Sequence, residues 1–322
     1  MPSGLTHILL TKMLQNNLPD GDLKNIIAYG SDSLIIGAVA PDIPYASLVD
    51  DALFHDEVFL ADDFHYMNTN QMPLQSLVLL KNIKNKVSDD VHYRIFSFYL
   101  GYISHVFADG IIHPFVRDKV GDYAMNKTGH RELEMQLDVL LLNYVTKSSG
   151  ISFELNFANM HKELQNFSQI EGVAHIIDTF SSLIQLVYNK KISQKQILGW
   201  IDGLYRLFDV AEGDYPVFIT RLKCNTILYK RYNDIDAEKV LNLKKPVDRE
   251  RNFINAETIN FIDHCLPQFF LKYITVAQRA YEFVYNDGCS LNDKDIPNIN
   301  LDTGRLVENN DLNEVPILWI NN

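Results

Sequence analysis

The sequence predicts an all-α protein built from many packed helices. Three observations carry this. Apolar residues recur at three- and four-residue steps over several long stretches, strand-like alternation is scarce, and no internal repeat, low-complexity tract or flexible linker interrupts the pattern. With 322 residues, 47% of them hydrophobic, the chain can bury a sizeable core.

The elements follow in order. Residues 5–16 carry the first helical pattern. The stretch SLIIGAVAPDIPY ends in Pro41 and Pro44, which are expected to break any helix and to place Asp42 on an extended loop. His65, in DDFHY, is expected on a loop or short turn. Helical spacing returns over 71–87 and 91–112, and Pro114 predicts that the second of these helices ends or kinks near His113. A further helix is expected from about Gly129 through RELEMQLDVLLLNYV, and others over 171–189, 193–211 and 256–286. From Cys289 onward the chain is rich in Asn and Asp and reads as irregular chain lying on the surface. The division implied is a metal-binding half, 1–150, and a helical half, 151–322, packed with it as one globular unit.

The densest chemistry lies in the front half. YLGYISHVFADGIIHPF places His105, Asp109 and His113 at steps of four, so two imidazoles and a carboxylate share one helix face. GHRELEMQ then puts His130 and Glu134 four apart on the next helix, a pair able to face the first set across a helix hairpin. Asp42, His65 and His7 can fold back onto this cluster, and His55, in FHDE, competes with His65 for the role. Imidazoles and carboxylates without thiolate suit zinc, and also manganese or iron. Without a cation, so many ionisable groups would be desolvated with nothing to compensate them. Asp109, central between two histidines, is placed to bridge two metals.

Composition narrows the partners. Asp and Glu outnumber Lys and Arg by 41 to 29, for a formal charge of -12, which leaves no broad positive field for a nucleic-acid backbone and would repel an anionic lipid surface. Zwitterionic or monomeric phosphoesters stay compatible with it. Cys224, Cys265 and Cys289 have no metal-like spacing and are odd in number, which fits a reduced compartment. The first residues lack the basic, apolar and small-residue regions of a secretory signal, and no run of about 18 apolar residues marks a membrane span. A cytoplasmic protein is expected.

The remaining histidines, His92, His161, His175 and His264, have no carboxylate partner at helical spacing in the same setting as the cluster and read as core residues with a satisfied hydrogen bond. The aromatic run Tyr93, Phe96, Phe98, Tyr99 and Tyr102 reads as core packing.

In GLTHILL, GAVAPDIPY, FHDE, DDFHY, GYISHVFADGIIHP and GHRELE, taken in order over residues 4–134, the sequence resembles the zinc-dependent phospholipase C family. That family includes bacterial phospholipases C and the catalytic region of glycosylphosphatidylinositol-specific phospholipase D. The resemblance implies an all-α fold of the kind shared with fungal-type nucleases. It also implies that Asp42, His65, His105 and Asp109 bind one zinc, that His113, His130 and Glu134 bind a second, and that His7 helps to hold a third. In secreted members the mature N-terminal residue also ligates the third metal, whereas this sequence begins MPSG. The step from Asp109 to His113 is shorter than in the secreted bacterial enzymes.

The function expected is therefore metal-dependent hydrolysis of a phospholipid or other small phosphodiester by a metal-activated water, with Asp42 as ligand and proton acceptor. The alternatives are a zinc nuclease of the fungal type, which the acidic charge disfavours, and a non-catalytic helical scaffold stabilised by metal.

Overall fold

The structure is a computed structural model that describes residues 4–48, 58–123, 125–148, 171–212, 229–244, 258–286 and 288–307. His55, His161, Cys224 and Trp319 lie outside the described residues. The fold is all-α. Its helices are α1 (Gly4–Asn17), α2 (Asp22–Tyr29), α3 (Ser31–Val39), α4 (Val58–Tyr66), α5 (Gln71–Ile83), α6 (Asp89–Val120), α7 (Lys127–Ser148), α8 (Val173–Tyr188), α9 (Gln194–Glu212), α10 (Ala237–Leu241) and α11 (Leu266–Tyr281). A two-stranded antiparallel ribbon pairs β1 (Asn242–Lys244) with β2 (Thr258–Asn260), so the strand occupies the start of the segment expected to be helical from 256.

Helix α6 is the axis of the molecule. Ser88 caps it, its Oγ accepting from the Val91 N–H, with Asp89 and Asp90 in the first turn and Arg117 and Lys119 in the last. Gly121, at φ 90°, ends it. The helix continues past Pro114 to Val120, so it does not end near His113. One lost ladder bond is outweighed by the burial of Ile111, Ile112, Phe115 and Val116 on either side. By length and apolarity α6 also meets the criterion for a membrane span that the sequence was expected to lack, yet 94% of its apolar window is buried inside the fold. Its apolarity serves the core.

Helix α3 lies against α6 with backbone touching backbone. A Cβ on Gly37 would stand 1.9 Å from the Phe98 carbonyl oxygen, and one on Gly101 would stand 2.1 Å from that of Leu34. The chain then turns tightly at Pro41 and Asp42 into a 3-10 helix, Ile43–Leu48, instead of extending. Phe96, Phe98, Tyr99 and Tyr102 are core residues, as expected. One continuous hydrophobic core gathers residues from Leu5 on α1 to Leu301 near the end of the described chain.

The chain after Cys289 is irregular but does not lie on the surface throughout. Ile296, Leu301 and Thr303 are buried, because this segment packs back onto α4 through a backbone hydrogen bond and onto α6 through the side chains of His113 and Arg117.

Candidate metal centre

Four helices and one turn deliver the eight candidate residues. His105, Asp109 and His113 sit one helical turn apart on α6, His7 comes from α1, Asp42 from the turn after α3, and His130 and Glu134 from α7. His65 lies in the last turn of α4 and not on a loop. The acidic pair Asp62 and Asp63 hides an apolar stripe of Leu60, Ala61 and Phe64 that buries this short helix. All eight residues are at most 4% exposed.

Asp109 stands at the centre. Its Oδ1 is 3.2 Å from His7 Nε2, and its Oδ2 is 3.2 Å from His105 Nε2, 3.4 Å from His65 Nε2 and 4.0 Å from His113 Nδ1. Asp42 Oδ1 lies 3.2 Å from His65 Nε2 and 3.9 Å from His105 Nε2. The rings of His7 and His105 stack 4.0 Å apart. Ligand atoms of His7, Asp42 and His105 lie within 4.8 Å of one another, as do those of His65, His105 and Asp109. His7 thus joins the Asp42–Asp109 group. A second locus forms where His113 Nε2 faces Glu134 Oε1 at 4.0 Å. His130 is turned away from these contacts, donating Nε2–H to the Gly121 carbonyl at 2.5 Å with its ring edge-on to Tyr123.

The backbone sets the protonation pattern. A carbonyl oxygen can only accept, so the Nδ1 atoms of His65, His105 and His113 carry the hydrogens they donate to Ala61, Ala38 and Leu301 at 2.6, 2.8 and 3.0 Å. Each Nε2 is left as the lone-pair nitrogen, aimed inward, which is how a metal-ligating histidine is ordinarily oriented. The consequence is a direct conflict: His65 Nε2 and His105 Nε2 face each other at 3.2 Å. Two lone pairs at that distance need a proton or a cation between them.

Electrostatics agree. Burial alone would raise the Asp109 and Asp42 carboxyls, but the surrounding imidazoles outweigh it and hold both below the usual carboxylate range, Asp109 far below. Burial would lower His65, yet Asp109 and Asp42 together push it up to about 10. Burial keeps His7, His113 and His130 neutral, and it raises Glu134.

The donors fit a hard-to-borderline divalent cation such as zinc. Among the described residues, both ring nitrogens of His7, Asp42 Oδ1, both Asp109 oxygens and His113 Nε2 are buried without a hydrogen-bond partner. Six such atoms in one pocket would be costly unless a cation satisfied them. Zinc accepts this nitrogen and oxygen set.

Several contributors could not be read from sequence. The carbonyls of Ala38, Ala61 and Leu301 carry no side-chain signal. Asp138 could have been found, since it lies one turn beyond Glu134 on the same face of α7; it accepts hydrogen bonds from Thr6 N at 3.0 Å, Thr6 Oγ1 at 2.6 Å and Tyr229 at 3.0 Å. Tyr45 donates to Asp62 at 2.7 Å beside the His65 ring. Tyr66 and Tyr123, each 37% exposed, lie against the His65 and His130 rings.

No curated protein and no solved structure matches the chain. The family model described as zinc dependent phospholipase C matches residues 6–202, more than half of the chain, and runs beyond the motifs on α7 into α9. With its eight histidines and carboxylates gathered around α6 and this match across them, the chain belongs to the zinc-dependent phospholipase C family.

Proposed function

We propose that this protein is a zinc-dependent phosphodiester hydrolase acting on a phospholipid or another small phosphodiester. The observation that carries the reading is the buried group around Asp109, whose inward-facing lone pairs and carboxylate oxygens crowd one another without hydrogen-bond partners among the described residues. Asp42, His65, His105, Asp109 and His7 would hold zinc at one locus, and His113 and Glu134, with a reoriented His130, would hold it at the other. Zinc bound there would lower the pKa of water to about 7 and offset negative charge on a phosphoryl group.

The chain's own groups supply the rest. Asp109 presents Oδ1 to His7 and Oδ2 to His65 and His105, so both of its oxygens serve the first locus. Asp42, ionised and placed at the edge of the group, is the proton acceptor. The carbonyls of Ala38, Ala61 and Leu301 hold three imidazoles so that none has to reorient as a ligand arrives. The formal charge of -12 favours a small or zwitterionic substrate over a polynucleotide.

The test is hydrolysis of phosphatidylcholine and of a generic phosphodiester before chelation, after chelation and after zinc is restored. Turnover that disappears and returns with zinc is the expected result, and Asp42→Asn should lower kcat about 100-fold or more. Bound zinc with no turnover on any phosphodiester would make the centre a structural one.

A further inference from the structure

The segment 298–305 lies beyond the residues that match the family, and yet it touches the metal centre at two points. The Leu301 N–H donates to the His65 carbonyl at 2.9 Å, and the Leu301 carbonyl accepts from His113 Nδ1 at 3.0 Å. Leu301 itself is wholly buried. One residue therefore ties a ligand helix, α4, to a ligand ring on α6.

The segment is anchored on both flanks. Upstream, the Thr69 hydroxyl donates to the Ile299 carbonyl at 2.7 Å and accepts from its N–H at 3.1 Å, while Thr69 N donates to Asn298 Oδ1 at 3.0 Å. Downstream, Asp302 accepts from Arg117 Nη1 at 2.7 Å, one turn beyond His113 on α6. Asn300 Oδ1 closes the turn by accepting from the N–H groups of Asp302 and Thr303. Gly304, at φ 69°, brings the backbone so close to α6 that a Cβ there would stand 2.6 Å from the Gly110 carbonyl oxygen.

We infer that residues 298–305 form a positioning strap, with Leu301 as the positioning residue that fixes the tautomer and aim of His113 and couples it to His65. With Nδ1 committed to Leu301, only Nε2 of His113 is left for the Glu134 side, which is the geometry the second locus needs. The inference rests on the zinc hydrolase reading for its purpose, but not for its test.

The first measurement is the ¹⁵N chemical shifts of His113 in the metal-free full chain. The strap requires the Nδ1–H tautomer, and an Nε2–H tautomer would overturn it. The second compares zinc affinity and the cobalt(II) absorption spectrum of the wild type with those of Thr69→Val/Asp302→Ala, using Tyr273→Phe as a variant that loses a buried hydrogen bond elsewhere. The more weakly held zinc should loosen by about 10- to 100-fold in the strap variant, with an altered cobalt spectrum, and stay unchanged in Tyr273→Phe. Wild-type affinity and spectrum in a strap variant whose Leu301 amide exchanges faster with solvent would contradict the inference. A wild-type chain that takes up no zinc would instead sink the hydrolase reading, and the tautomer measurement would still judge the strap.

Discussion

His65, His105 and His113 each spend the Nδ1 proton on a backbone carbonyl, and this decides what the other nitrogen can do. Asp109 then collects three of the inward-facing imidazoles, His7, His65 and His105, within 3.4 Å, so its loss should be felt more widely than that of any one histidine. Asp109→Asn is expected to empty the centre, and elemental analysis should find less zinc in it than in His7→Ala or His113→Ala. Proton counting gives an independent check. His65 is held protonated up to about pH 10 in the metal-free chain by Asp109 and Asp42, whereas a zinc ligand must be neutral. Zinc added to metal-free protein at pH 8 in weak buffer should therefore release about one proton from this residue, and His65→Gln should release less. Equal release from both would show that His65 is not displaced.

At the scale of elements, the site depends on how closely helices approach. Gly37 and Gly101 let α3 and α6 meet backbone to backbone, and α3 also delivers the Ala38 carbonyl that holds His105. Gly101→Ala should cost about 3 kcal/mol of stability in denaturant titration, and should weaken zinc binding as well, since the methyl group pushes α3 away. Asp138 joins α1 to α7 in a similar way, gripping Thr6 next to His7. Burial pushes its carboxyl up to about 7, so its protonated form favours folding. That contribution is full below its ordinary value of 3.8 and is lost as the pH rises to about 7, and Asp138→Asn should flatten the stability profile over this window. The long periodic helices were legible because their apolar spacing is what buries them. The shorter ones were less so: Asp62 and Asp63 disguised α4 as a loop, and Pro114 read as a break because its cost is visible in sequence while the packing that offsets it is not.

Across the whole molecule, the candidate metal centre was legible in its residue types and not in its framework. The i, i+4 spacing on α6 and the pair on α7 follow from helix geometry, so His105, Asp109, His113 and Glu134 could be placed together before any fold was known. Nothing in the sequence says that His7 stacks on His105, that His130 is drawn to Gly121, or that an Asn- and Asp-rich tail returns through Leu301 to the site. Those are consequences of long-range packing and backbone carbonyls, which leave no pattern in neighbouring residues. One core spans residues on both sides of position 150, and the last described segment touches two of the candidate ligands. The measurement that bears most directly on all of this is a crystal structure of zinc-loaded protein with anomalous data at the zinc edge. It should show one peak among Asp42, His65, His105 and Asp109 and another between His113 and Glu134. A protein soaked in zinc that shows no peak at either place would mean that these groups form a polar network of the core and that the chemistry lies elsewhere.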